Sequence, residues 1–378
     1  MKNEVQEKKA RSSNIELLRV MAILMIIIFH IVRHCVNIQI HGGNETIKIA
    51  SDLFAKPVFY KKLYLLSGVM KWGPLGNDIF ILISGYFMVK KGKNINIIPI
   101  AQKLLTQLGF AAATMVIVSN FAVRYYKDRF ISAISFNFNT TAWFVGYYFL
   151  VIVCAMLFLN EYLSSLSQQR YQVFLVTLFA VIEFNWSYSI FERIGEGLGT
   201  VLLGCFLYSF GGYIRTYDPF QNVRGFVFGV IIVCANAIEY IASYNVTATE
   251  IQNFDFNDPD AVFSPQVLTF AGRDLVVIAI EVCLFEIFRR ISIPNNRIIN
   301  FLGKGTFMVY LIHDNHFFYS VWGLKNWALE LHDTPWLFLA DLVKWGGATF
   351  IVGIMAYLAY LLIERLLQAS KWIYIKSS

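Results

Sequence analysis

The sequence predicts an all-α integral membrane protein, a polytopic bundle of about ten transmembrane helices, on three observations. Of its 378 residues 57% are hydrophobic and only 15% charged, too few charges to cover a soluble protein of this length. Apolar stretches near the 20 residues that cross a hydrocarbon core recur along the whole chain. Aromatic residues reach 16%, a load that suits lipid-facing helices with interfacial belts. The net charge of +7 fits Lys and Arg gathered on the cytoplasmic side of a membrane. No basic stripe is interleaved with aromatics, so membrane lipid and not nucleic acid is the expected surrounding.

The polar start, 1–13, carries Lys2, Lys8, Lys9 and Arg11 and reads as a cytoplasmic tail. The apolar run behind it is long and no small-residue cleavage site ends it, so a retained first helix is expected rather than a signal peptide. Predicted spans are 15–36, 70–89, 98–123, 141–159, 170–188, 197–214, 223–244, 265–288, 300–322 and 336–363. Those at 197–214 and 300–322 carry glycines or polar residues. No Pro/Gly/Ser-rich linker divides the chain, so 14–368 is expected as one transmembrane domain, with a cytoplasmic tail at 369–378. The 37–69 segment mixes apolar runs such as Leu63–Leu66 with lysines and is expected on the outer face as a helix or partly re-entrant element. All five cysteines are isolated and sit in or beside apolar segments, as small hydrophobes do.

Orientation follows from the short loops. With the N-terminus inside, Lys90, Lys91, Lys93, Arg215, Arg224, Arg289, Arg290 and Arg297 all fall on the cytoplasmic side. The acidic stretch from Glu250 to Asp260 falls outside with this trend, and the Arg124–Arg129 cluster falls outside against it. Both termini are therefore expected in the cytoplasm of a multi-pass plasma-membrane protein.

The first helix reads Ser13-Asn14-Ile15-Glu16-Leu17-Leu18-Arg19, then ten residues, then His30. Ser13 or Asn14 is expected to cap it. Eleven helical steps return Arg19 and His30 to within about 20° of one direction, roughly 16 Å apart along the axis. Arg19 would lie near the cytoplasmic end, with His30 deep toward the outer half. The plain reading has Arg19 snorkelling to headgroups and His30 packing between helices. The functional reading has the pair lining a polar path, since intramembrane ionisable groups are costly to keep. His34 extends the same stripe with metal-ligand spacing to His30. No acidic residue or further His sits close by in sequence apart from His41 in the adjoining loop, so no metal is expected. There is no phosphate loop, no HExxH, no GxSxG elbow and no dinucleotide glycine motif.

The stretch from Asn14 to His30 resembles the opening of the membrane acyltransferase-3 family, whose first helix carries Arg, ten residues, then His. Asn77-Asp78-Ile79-Phe80-Ile81-Leu82-Ile83-Ser84-Gly85-Tyr86 is similar to the family's second-helix signature. Trp143-Phe144 opens the fourth span as the family does, and Phe301 through His313 resembles its penultimate-helix pattern. These segments spread over most of the chain and stand in the family's order.

The resemblance implies O-acylation, usually acetylation, of cell-surface carbohydrate. Cytoplasmic acyl-CoA, usually acetyl-CoA, is then the donor substrate, with no bound cofactor, and a surface glycan or lipid-linked sugar is the acceptor. His30 is implied as the general base, a role that suits an imidazole neutral near pH 7. Arg19 is implied to face the donor and orient its phosphates or amides. Where the family often places Arg-x-x-Arg, this chain has Lys90 and Lys93, which bind phosphate without the bidentate fork. Ser84, Trp143, Arg273 and His313 stand as candidate contacts to the acceptor. Helix packing explains Ser84 and its neighbour Gly85 equally well. Arg273 and Asp274 read as a salt bridge or part of a sugar site, and His313, Asp314 and His316 as a sugar-facing cluster or a structural network. Glu183, Glu281, Asp341 and Lys344 are further intramembrane candidates without assigned roles. A transporter or flippase of a glycan precursor or small solute is the competing class, though no inverted repeat is visible. A component of a glycan-assembly complex is a third, and glycan-assembly proteins are candidate partners.

The orientation has a direct check. Single cysteines introduced at Ser12 and Ser377, in a background without native cysteine, should resist an impermeant thiol reagent in intact cells. Labelling of either would overturn the orientation.

Overall fold

The computed structural model describes residues 12–36, 38–39, 56, 62, 66, 68–92, 95–122, 143–183, 195–253 and 273–377. Among them every regular element is helical, as hydrocarbon demands of a chain that must satisfy its backbone hydrogen bonds within each segment. In order these are α1 (Ser13–Ile31), α2 (Trp72–Met88), α3 (Ile97–Ala122), α4 (Trp143–Cys154), α5 (Gln168–Glu183) and α6 (Gly195–Tyr217). Then come α7 (Gly225–Asn253), α8 (Arg273–Arg290), α9 (Arg297–His313), α10 (His316–Trp322), α11 (Trp327–Asp333) and α12 (Pro335–Ser377). A π-helical turn, Val32–Val36, extends α1, and Ala155–Leu159 with Asn160–Ser165 extends α4.

A helix lies in each of the ten predicted spans. Among the described residues six helices are long and apolar enough to cross a membrane: Ser13–Val36, Ile97–Val118, Trp143–Ser165, Leu198–Tyr217, Gly225–Ala242 and Pro335–Ala369. The other four are shorter or more charged; α2, with 17 residues, reaches only about 25 Å. The protein is thus an all-α membrane helix bundle. Most of the 37–69 element, Lys93, the Arg124–Arg129 cluster and the acidic residues Asp255, Asp258 and Asp260 lie outside the described residues. The chain from 369 onward, expected as a tail, continues α12 through Ser377.

Helix α1 is the axis of the bundle. From Val20 to Phe29 it is apolar on every face, as a helix buried within a bundle can be. Four helices cover it: α2, α8, α9 and α12 pack against its length. Leu18, Ala22, Ile23, Ile26, Ile27 and Ile31 are accordingly at most 1% exposed. On α7 and α12 the pattern inverts, with Val233, Ile241, Val343 and Met355 more than half exposed, as side chains facing lipid would be.

The predicted caps of α1 serve other helices. The helix starts one residue earlier than the cap required, and the Ser12 carbonyl accepts from Ile15 and Glu16. Ser13 Oγ instead accepts from the Asn296 amide and donates to Asn300, bracing the start of α9. Asn14 Nδ2 donates to the Phe288 and Arg289 carbonyls, at the end of α8. Three helix ends meet there, so each side chain has an orphan backbone group within reach.

A second correction concerns 300–322, expected as one span. Helix α9 stops at His313, Asp314 leaves helical geometry (φ −87, ψ 77), and Asn315 Oδ1 caps α10 through the Phe317 amide at 2.9 Å. Short Asp and Asn side chains offer backbone groups this alternative to a continuing helix.

Helices α2 and α6 cross backbone to backbone. A Cβ on Gly85 would lie 1.9 Å from the Tyr208 carbonyl oxygen, and one on Gly211 would lie 2.2 Å from that of Leu82. Only glycine permits this approach. Gly85→Ala and Gly211→Ala should each cost about 1–3 kcal/mol or more and lower the melting temperature in detergent. Gly109→Ala, whose Cβ would meet nothing within 4 Å, should be neutral or slightly stabilising. An unchanged melting temperature in Gly85→Ala would show that the crossing is not locked.

Candidate active site

Two polar centres sit at opposite ends of α1. His30 belongs to the last turn of the helix, just before the π-helical turn, a local widening frequent at functional sites. The end of α9 lies beside it and the break after His313 folds Asp314 back toward it. His30 Nδ1 stands 2.9 Å from His313 Nε2 and 3.5 Å from Asp314 Oδ1. The two imidazole planes are 10° apart, so an N–H in one ring can point along the lone pair of the other. His34 meets His30 edge-on and stacks on Tyr319 of α10, whose hydroxyl donates to Asp314 Oδ1.

The hydrogen bonds assign the tautomers. His313 Nδ1 lies 2.7 Å from the Tyr310 carbonyl and 3.3 Å from that of Val309. Carbonyl oxygens only accept, so this nitrogen carries the proton. In a neutral ring His313 Nε2 then accepts, and His30 Nδ1 must be its donor. A neutral His30 therefore keeps its lone pair on Nε2. His313 and His30 are almost fully buried, at 0% and 9% exposure, so this network replaces solvent in setting the proton positions.

His30, His34 and Asp314 also bring one ligand atom each within 4.8 Å of the others, a grouping the sequence spacing foreshadowed only for the two histidines. The same three residues share contacts with His313 and Tyr319, through the His30–His313 and Tyr319–Asp314 hydrogen bonds and the stack of His34 on Tyr319.

Arg19 is at the other end. It pairs with Glu16 at 2.8 Å, one turn earlier on α1. The Glu16 carboxylate is pressed against α9 where Gly303 leaves room, since a Cβ there would lie 2.2 Å from its Oε2. Lys90 is exposed in the turn after α2. Helix α2 runs antiparallel to α1, Gly73 lying against Phe29 and Gly76 against Ala22 and Ile26, so Lys90 belongs to the Arg19 end. Three nearby arginines are already engaged. Arg289 grips Asp218 and Glu286, Arg290 binds Glu286 and the carbonyls of Phe220 and Val223, and Arg215 lies on Tyr86.

The remaining predicted residues divide. Trp143, 49% exposed, opens α4 at the His30 end, and ring contacts run from Trp143 through Phe144 and Tyr310 to His313. Ser84 is not brought to this cluster. Its hydroxyl donates to the Phe80 carbonyl and meets the Tyr148 hydroxyl at 3.1 Å, roughly 16 Å along α2 from the level of Phe29. Arg273 and Asp274 begin α8, and their side chains, like those of Glu183 and His316, lie outside the described residues. Glu281 is fully buried, and Asp341 joins Lys325 in tying α12 to the turn before α11, with Lys344 4.0 Å away. Glu16 and Tyr319 were given no role by the sequence, although their partners Arg19 and Asp314 lie within five residues, while the stack of Tyr319 on His34 and the buried ion pair of Lys71 with Glu239 join residues distant in the chain.

The sequence model of one family, described as an acyltransferase domain, matches residues 12–373. No curated protein and no solved structure matches the chain. The match favours the enzyme over the transporter reading and covers both polar centres.

Proposed function

The chain belongs to the acyltransferase 3 family of membrane proteins, and from that premise we propose that it carries an acyl group from cytoplasmic acyl-CoA to a carbohydrate hydroxyl outside. The observation that carries this reading is the pairing of a cationic end at Arg19 with a buried imidazole end at His30, on one face of the central helix. Roughly 16 Å separates them, a span that suits a long donor anchored by its phosphates and reacting at its far end. In this reading the Arg19 and Lys90 end faces the cytoplasm, where acyl-CoA is available, and both termini lie on that side. The acyl group is acetyl, and the acceptor is a surface glycan or lipid-linked sugar reached past Trp143.

At the reacting end His30 Nε2 accepts the proton of the acceptor hydroxyl as its oxygen bonds to the acyl carbon. The carbon–sulfur bond of the thioester breaks, and the proton passes from Nε2 to the departing CoA sulfur. Arg19, steered by Glu16, and Lys90 hold the donor's phosphates or amides. Ser84, between the two ends, borders the donor path, while Arg273 and His313 belong with the acceptor side.

Membranes carrying the protein should transfer label from acetyl-CoA to glycan; uptake of label without transfer would overturn the reading. His30→Gln keeps a hydrogen bond of similar reach but cannot take the proton, so kcat should fall on the order of 100-fold to 10,000-fold. A well-folded His30→Gln enzyme as active as the native one would make His30 structural. At the donor end, Lys90→Ala combined with Lys93→Ala should raise the KM for acyl-CoA roughly tenfold with acceptor KM unchanged. An unaltered donor KM would remove both lysines from the site.

A further inference from the structure

His30 has two partners at Nδ1 with different chemistry. His313 is neutral when its Nε2 accepts, so it fixes the tautomer but cannot offset a charge. Asp314 can. We propose that Asp314 is the positioning carboxylate of the reaction, held by Tyr319 so that it faces His30 Nδ1 while the opposite nitrogen works on the acceptor. This rests on the reading of His30 as the base.

The local fold explains how the carboxylate arrives there. A continuing helix would turn residue 314 by about 100° from His313 and carry its side chain onward with α9. The break at Asp314 and the cap by Asn315 turn the chain instead, leaving Asp314 Oδ1 3.5 Å from His30 Nδ1. The same oxygen accepts from the Tyr319 hydroxyl, and Tyr319 is held in turn by its stack on His34 and by the Cys35 thiol on its carbonyl. Asp314 is 7% exposed, and a carboxylate so covered needs compensation from its neighbours. The charged or titratable groups about the pair are Arg33 and His34 from α1, Tyr310 and His313 from the end of α9, and Tyr319 from α10. Helices α2 and α12 meet this stretch of α1 at Gly73 and Gly346, glycines packed on Phe29 and Ile28.

The charge balance shows what the carboxylate contributes. As the acceptor oxygen bonds to the acyl carbon, its proton moves to His30 Nε2 and the ring becomes an imidazolium with N–H on both nitrogens. Its Nδ1–H stays on His313 Nε2, and the Asp314 carboxylate, 3.5 Å from Nδ1, lies beside the positive ring in a site with little water. When the thiolate leaves, the Nε2 proton goes to sulfur and the ring is neutral again. Asp314 gives up and receives no proton; it stabilises the positive ring during the step and keeps it aimed.

The test uses the full-length protein in lipid nanodiscs, with steady-state kinetics and thermal melting for each variant. Asp314→Asn keeps size and hydrogen bonding but removes the charge, and kcat should fall on the order of 100-fold with the KM for acyl-CoA within about twofold. Asp314→Glu should recover part of that loss, and Tyr319→Phe should lose on the order of tenfold. A structural role would move melting and KM with kcat and would not favour Glu over Asn. If Asp314→Asn keeps native kcat while His30→Gln is inactive, the proposal for Asp314 fails and the base stands. If His30→Gln is itself active, the base fails and this proposal with it. Should Asp314→Asn not fold, Asp314→Glu decides: a folded Glu variant with no turnover overturns the proposal, and one with turnover supports it. Metal analysis of the native protein closes the remaining route, since a stoichiometric divalent ion lost in Asp314→Asn would make the cluster a metal site and overturn the proposal.

Discussion

The burial of α1 along its whole length governs the rest of the structure. A central apolar helix is easily covered in a membrane bundle, but any polar side chain it carries must then be satisfied by protein. This one carries polar residues only near its ends. At the start Ser13 and Asn14 bond to the ends of α8 and α9, and Arg19 to Glu16. At the finish His30 and His34 meet the broken end of α9 and the start of α10. The middle, from Val20 to Phe29, is apolar and packed. Two polar ends joined by a dry axis follow from covering one helix.

The neighbours are fitted to that axis by small residues. Gly73 admits Phe29, Gly76 admits Ile26, and Gly303 admits Glu16. Farther out, the α2–α6 crossing at Gly85 and Gly211 fixes α2 from its other side. With little hydrophobic drive between helices in lipid, close backbone approach supplies the packing that holds such a bundle. The result holds Lys90 and Arg19 at one end without direct contact between them.

The polar network at the His30 end depends on irregular backbone. A π-helical turn widens α1 behind His30, and α9 breaks directly after His313. Regular helices would leave Asp314 facing along α9 and Tyr319 out of reach. Non-helical backbone at membrane depth is tolerated where protein satisfies its polar groups, and here Asn315 and the His313 contacts to the Tyr310 and Val309 carbonyls do so.

The sequence alone determined the fold class, because composition and 20-residue apolar runs are summed over the whole chain. It also determined that Arg19 and His30 share a face, since helical spacing is a local property. His313 was visible as a polar residue in an apolar span, though not as the acceptor for His30, 283 residues away. The role of Ser13 and Asn14 and the stack of Tyr319 on His34 were hidden, because each turns on which helix ends meet in space, whereas the break in 300–322 rests on the local Asp314-Asn315 pair, which the apolar run around it masked. Apolar runs state that helices form and roughly where. Which polar side chains share a buried site is decided by packing, since only there does an unsatisfied donor or acceptor carry its full cost.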